Sequence, residues 1–240
     1  MEQRASRYAE VIDGNISEDA GLLEALSIGW SEGMPDGERL QAEVDELGRR
    51  DGIYGFLVAR PDGSRATSQE YPPTWDPRTR DWYKKAAVSD GVVFSEVYKN
   101  AADGAIIVTV SKAVRKDGEL LAVIGADITL DSLTGMLKDV KVGEHGSLFV
   151  LGPRSEFIYH KKFGIDDPPL NEMDGGSHKE LATKFLSEKP MMLEAEFGGV
   201  DKFYQTVPIP TTGWHVIIEV PEAEAFAAAT HMLYAIVVIC

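Results

Sequence analysis

The sequence predicts an α+β protein: a long N-terminal helix, two successive antiparallel-sheet modules and a C-terminal exit helix. Three observations carry that reading. The first fifty residues contain no proline before Pro35 and place apolar side chains at Tyr8, Val11, Ile12, Leu22, Leu23, Leu26 and Leu40, a helical pattern. Runs of β-branched residues separated by Asp-Gly turns follow. One order of elements, a hairpin, an irregular loop, a short helix and three strands, then occurs twice, as a repeat of architecture and not of sequence.

Asp36 and Gly37 are expected to interrupt the opening helix. Residues 53–60 (IYGFLVAR) read as a strand, PDGS as a turn, and a second short strand ends near Ser68. Residues 71–80 (YPPTWDPRTR) carry three prolines and must be irregular, and DWYKKAAVSD has the composition of a short helix. VVFSEVYKN, AIIVTVSKAVRKDG and ELLAVIGADITL form an antiparallel meander, after which Asp131 is expected to cap a helix. In the second half the strands are GSLFVLGP, EFIYHKK, MMLEAEF, KFYQTVPIP and WHVIIEV, with the helix HKELATKFLSEK among them. The implied division is 1–50 as a helical stalk, 51–142 as the first module, 143–220 as the second and 221–240 as the exit helix.

The end of the chain turns wholly apolar from Tyr234. A spanning helix needs about 20 apolar residues, so this run reads as the start of a truncated transmembrane segment, a buried C-terminal helix being the alternative. On the first reading another membrane helix precedes Met1.

Composition narrows the function. Lys and Arg total 24 against 39 Asp and Glu, and a formal charge of −15 repels phosphate backbones, so no nucleic-acid partner is expected. The single cysteine, Cys240, supports neither disulfides nor a thiolate metal site. The nucleotide-cradling, zincin and nucleophile-elbow motifs are missing, and His145, His160, His178, His215 and His231 lack metal-site spacing. No cofactor, metal or catalytic residue is indicated, and a binding module is favoured over an enzyme such as a hydrolase using Asp127.

The informative chemistry lies in residues 76–83 (DPRTRDWY), followed by Tyr98 and Asp127. Arg80 offers a fork of donors matching a carboxylate, Trp82 a donor and a flat apolar wall, and Tyr83 and Tyr98 hydroxyls for a polar shell. On one regular helix Arg80 and Trp82 would point about 200° apart, so the chain must bend there, with Asp81 as a late N-cap and Arg80 still in the loop. Asp127 sits in LLAVIGADITL, a run otherwise fit for a sheet interior, on one face with Leu121, Val123 and Gly125. A carboxylate on a covered face is costly unless paired. Its partner is Arg80, a lysine or a ligand ammonium; otherwise it caps the next helix.

These residues resemble the double Cache sensor domains, tandem PAS-like modules found outside the membrane in bacterial chemoreceptors, sensor histidine kinases and diguanylate cyclases. The resemblance rests on DPRTRDWYKKA, on IGADITLDSL and on GGVDKFYQTVPIPTTGWHVIIEVP, and it covers nearly the whole chain. It implies a periplasmic sensing region of an inner-membrane receptor that homodimerises, is anchored by flanking helices and binds its ligand in the membrane-distal first module. Similarity to the amino-acid-binding members implies that Arg80 and Trp82 take a ligand carboxylate, that Asp127 meets its amine, and that Tyr83 and Tyr98 complete the shell. Two positions depart from that subset: Trp75 stands where it has a tyrosine, and Asn100 where it has an acidic residue. A small carboxylate or amine, or a ligand-free dimerising or partner-binding spacer, are the alternatives to an amino-acid sensor.

Overall fold

A computed structural model describes residues 1–227. Helix α1 (Glu2–Gly33) buries Ala5, Ala9, Ile12, Ile16, Leu23, Ser27 and Trp30, a stripe at alternating three- and four-residue steps with one longer gap. Val11 and Ile28 lie outside that stripe and are exposed. The helix stops before Met34-Pro35-Asp36, and α2 (Gly37–Leu47) restarts with Leu40 and Val44 buried. Contact density divides the chain into two units, one formed by Gly14–Gly135 and the other joining Met1–Asp13 to the residues from Met136 onward.

The first unit holds a six-stranded antiparallel sheet built from β1 (Gly55–Ala59), β2 (Arg65–Thr67), β3 (Val93–Phe94), β4 (Tyr98–Lys99), β5 (Ile106–Lys116) and β6 (Glu119–Thr129). Its order is β2-β1-β6-β5-β3, with β4 also paired to β5, so the last strand in sequence lies at the centre. The β5–β6 hairpin closes through Asp117 and Gly118 at φ of 52° and 86°, the positive pair a two-residue turn of this twist requires. The segment expected as one strand from Val92 is broken into β3 and β4, since both are tied to β5 at separate places.

Both faces of this sheet are covered. One carries Phe56, Val58, Ile124, Ala126 and Ile128, all buried, and α2 packs beside β1 and β2. The other carries Leu57, Ala59 and Val123 under α3 (Asp81–Ala87), whose Trp82, Tyr83 and Ala86 complete the cluster. Two caps differ from expectation. Arg80, with extended backbone, occupies the N-cap of α3, and Asp81 is its first helical residue. Thr129, not Asp131, caps α4 (Leu130–Thr134), its hydroxyl accepting from the Ser132 N–H at 3.2 Å, because β6 runs to Thr129 and leaves Asp131 inside the first turn.

The second unit repeats the strand order. Its five strands, β7 (Ser147–Leu151), β8 (Phe157–Tyr159), β9 (Met191–Phe197), β10 (Val200–Ile209) and β11 (Trp214–Pro221), lie as β8-β7-β11-β10-β9. Helix α5 (Lys179–Phe185) covers one face, where Phe149, Phe157, Leu181, Phe185, Tyr204 and Ile217 form the core. Residues 222–227 are helical; the expected membrane segment lies outside the described residues. Among the described residues no helix is long and apolar enough to cross a membrane.

Phe185 is 2% exposed and meets the rings of Phe149 and Tyr204 at centroid distances of 5.8 and 4.9 Å. Phe185→Ala is expected to cost about 3–5 kcal/mol in urea unfolding of the second unit. A loss below about 1 kcal/mol would show that the core does not depend on this ring.

Candidate functional site

The register of the first sheet places three residues in a row: Thr109 on β5 pairs with Asp127 on β6, which pairs with Gly55 on β1. Asp127 is 0% exposed. Among the described residues no cation pairs with it. Its Oδ1 accepts from the Thr109 hydroxyl at 2.7 Å and its Oδ2 from the Tyr71 hydroxyl at 3.3 Å. Thr109 has one proton and gives it to Asp127, so Tyr98, whose hydroxyl is 2.7 Å from Thr109 Oγ1, donates in turn. Behind Tyr71, Gln69 Oε1 accepts from Asn100 Nδ2 at 2.9 Å and lies 3.3 Å from the Tyr71 hydroxyl, whose one proton it shares with Asp127 Oδ2, while Gln69 Nε2 donates to the Tyr54 carbonyl at 3.0 Å.

Burial without a counter-charge pushes the Asp127 carboxyl up to about 7, with the Thr109 and Tyr71 hydrogen bonds pulling the other way. The same burial, with Asp127 nearby, raises the Tyr71 and Tyr98 hydroxyls above the ordinary tyrosine value. Arg80 acts on Tyr98 in the opposite sense. The tyrosine therefore feels both an anion and a cation that make no ion pair with each other.

Arg80 stands at the bend between the Pro77–Thr79 turn and α3, where extended backbone turns its side chain off the helix. Its guanidinium carbon lies 5.8 Å from the centre of the Trp75 ring, and its buried Nε has no hydrogen-bond partner among the described residues. Trp75 stacks on Tyr71 at 4.1 Å and 21° and also carries Arg65 at 5.2 Å from its ring centre. Trp82 is 1% exposed and lies against β6 at Gly125, where an added Cβ would come within 3.6 Å of Trp82 Cε3 and 3.1 Å of Thr109 Cγ2. Glycine thus lets the indole rest on the sheet.

Trp75, Trp82, Tyr98, Asn100 and Asp127 gather on this side of the sheet, with Arg80 beside them. Tyr83 is placed otherwise. It packs edge-on to Trp82 at 5.9 Å, and the charges acting on its hydroxyl are those of Arg78, Asp76 and Asp62. One helix step of 100° separates the two rings, so Tyr83 faces the Asp76–Arg78 pair and not Asp127. The readings of Asp127 as one half of a pair with Arg80, or as a helix cap, are both replaced by the two hydroxyl contacts.

Sequence reasoning missed Tyr71, Thr109 and Gln69. A signal existed for Thr109, a polar residue amid buried β5 positions that lies opposite Asp127 once the Asp117-Gly118 turn fixes the register. Tyr71 offered none: its reach depends on the path of a proline-rich loop. The cluster is closed over, with Asp127, Thr109, Asn100 and Trp82 each at most 3% exposed. Among the described residues no three His, Cys, Asp or Glu side chains converge as a metal site.

Two sheets of one strand order, following a long N-terminal helix in the chain, the first with a buried polar cluster between sheet and short helix, define a tandem-module α+β domain. The chain belongs to the Cache domain family, whose match spans residues 2–229. It is 26% identical over 73% of its length to the methyl-accepting chemotaxis protein PscA of Pseudomonas syringae, covering 26% of that protein. The chain thus spans about a quarter of that relative's length. In structure it is similar to the ligand-binding domain of the Pseudomonas aeruginosa amino acid chemoreceptor PctB in complex with L-Gln, with a TM-score of 0.77, 19% identity and coverage of 97% of this chain and 96% of that one. It is likewise similar to that of the Pseudomonas fluorescens chemoreceptor CtaA in complex with L-isoleucine, with a TM-score of 0.74, 20% identity and coverage of 95% and 93%.

The Asp127 carboxyl titrates well above its ordinary value near 3.8. The folded state then holds a proton that the unfolded chain has released, so the carboxyl's contribution to stability is complete below about pH 4 and is lost as pH rises through 7. Asp127→Asn should therefore match the parent near about pH 4 and exceed it by up to about 4 kcal/mol near pH 8. Thermal unfolding at both values checks this; an advantage that does not grow with pH would mean the carboxylate is already neutralised by a cation.

Proposed function

We propose that the first module, 51–142, is the membrane-distal ligand-binding module of a bacterial transmembrane signalling receptor and that it binds an α-amino acid. The observation that carries this reading is the separation of two unmatched groups in one cluster: a guanidinium with a buried, unpartnered Nε and a fully buried carboxyl with no cation. A zwitterion satisfies both. Its carboxylate would take the Arg80 fork and the Trp82 indole N–H, and its ammonium would take Asp127, with Trp75, Tyr71 and Tyr98 as walls and Asn100 through Gln69 as support. Tyr83 would hold Trp82 in place and not touch the ligand. The similarity to amino-acid-bound chemoreceptor domains supports the same ligand class.

The receptor would sit in the inner membrane with this region in the periplasm, anchored by flanking helices and working as a homodimer. Signalling would follow from differential binding: the ligand favours the arrangement in which α3 closes on the sheet, and the population shifts accordingly. An internally satisfied Arg80–Asp127 pair with no cavity would favour a ligand-free spacer; Asp127 is held by Thr109 and Tyr71 and not by Arg80, which supports the ligand site.

Ammonium binding requires the ionised carboxylate, so ligand uptake should expel the Asp127 proton. Calorimetry with a panel of L-amino acids is expected to show close to one proton released near pH 6 and almost none near pH 8, read from the dependence of heat on the buffer. Arg80→Ala should weaken binding about 100-fold or more with the fold retained. Unchanged affinity in Arg80→Ala, or silence across the panel from a well-folded parent, would overturn the assignment.

A further inference from the structure

The second unit carries a cavity of about 630 Å³, within the range of small-molecule sites. It is lined by Ser147, His160, Phe163, Phe197, Lys202 and Glu219 among others. Its position in the sheet matches that of the polar cluster in the first. Asp127 on β6 pairs with Gly55, the first residue of β1; Glu219 on β11 pairs with Ser147, the first residue of β7. Since β6 and β11 occupy the same place in two sheets of one strand order, an acidic side chain stands at the corresponding point of each. On the neighbouring strand, Tyr204 pairs with Glu219 where Thr109 pairs with Asp127.

The chemistry differs. Glu219 is already matched: its Oε1 accepts from Ser147 at 2.6 Å and its Oε2 from Lys202 at 2.9 Å. The surplus is in donors. Lys202 uses one of its three N–H bonds on Glu219, and both side chains are largely buried, 16% and 11% exposed. His160 Nδ1 accepts from the backbone N–H groups of Lys162 and Phe163 at 3.0 and 3.1 Å, so a neutral ring carries its proton on Nε2. Tyr204 is 0% exposed, and its hydroxyl has no hydrogen-bond partner among the described residues. A buried hydroxyl left unpaired is costly, and it borders a small recess, lined by Phe149, Phe157 and Phe185, that is distinct from the cavity but shares His160, Phe197 and Glu219 with it. Unfilled donors around an aromatic floor suit an acceptor-rich head on an apolar body.

We propose that this cavity is a second ligand site, specific for a small organic carboxylate with an apolar body. The carboxylate takes Lys202 Nζ and the His160 Nε2–H, the body rests on the phenylalanines, and Tyr204 donates to a ligand oxygen at the floor. The site is separate from the one proposed in the first module and reads the opposite imbalance: donors seeking an anion, where Asp127 is a carboxyl seeking a cation.

The test is thermal shift and calorimetry of the whole chain with lactate, pyruvate, propionate and benzoate, using the matching amides as uncharged controls. One or more acids should bind and the amides should not. Tyr204→Phe removes only an unpaired hydroxyl, so it should leave the melting temperature unchanged or higher while weakening the acid about tenfold. Lys202→Met paired with Glu219→Gln avoids stranding a buried carboxylate and should abolish binding, while Arg80→Ala should leave it intact. Acid binding that is lost in Arg80→Ala but kept in the Lys202→Met, Glu219→Gln double variant would place the anion in the first module and overturn the proposal. No response from the folded parent to any of the acids, or equal response to the amides, would overturn it as well.

Discussion

A carboxyl group with no charge partner, held at the centre of a sheet covered on both faces, is the constraint around which the first module is arranged. Leaving Asp127 in an apolar interior would cost several kcal/mol if it were ionised and bare. The module limits that cost in two ways: it keeps the group protonated over much of the acidic range, and it supplies hydroxyl donors to whatever charge remains. Both depend on strand register. Shifting β5 by one residue against β6 would turn Thr109 to the opposite face and leave Asp127 Oδ1 unsatisfied.

The aromatic residues form the second part of that arrangement. Trp82 lies against Gly125, and Trp75 stacks on Tyr71, so the loop of prolines and the short helix together cover a polar line with apolar rings. Among these rings, Arg80 is held beside Trp75 by attraction to a ring face instead of by a carboxylate. A contact of that kind is weak enough to yield to a better partner. The cation is positioned without being neutralised.

The alternation of β-branched residues, the Asp-Gly turns and the repeated order of elements made both sheets legible in the sequence, because each is a local signal with a fixed period. Arg80, Trp82 and Asp127 were legible through chemistry that a bland surface would not need. Tyr83 differs from the expected shell because neighbours on a helix diverge in space: both rings of α3 join the buried cluster, but the charges acting on the Tyr83 hydroxyl are those of Arg78, Asp76 and Asp62. The Thr129 cap was hidden by the length of β6, which tertiary pairing with β5 and not local propensity decides. Tyr71 and Gln69 act across a loop whose course no periodicity encodes. Tyr204 read as one more strand aromatic, and only the buried hydroxyl in three dimensions sets it apart.

The turn at Asp117 and Gly118 has an effect beyond closing a hairpin. It joins the two longest strands of the sheet, and those strands carry Thr109 and Asp127. The donor and the acid therefore belong to one contiguous stretch of chain, able to find each other before any distant segment arrives. Local pairing of this kind forms on a microsecond scale, well ahead of the long-range contacts that bring α3 and the proline loop over it. The chemistry of the cluster thus rests on a contact local in sequence, which α3 and the proline loop then cover.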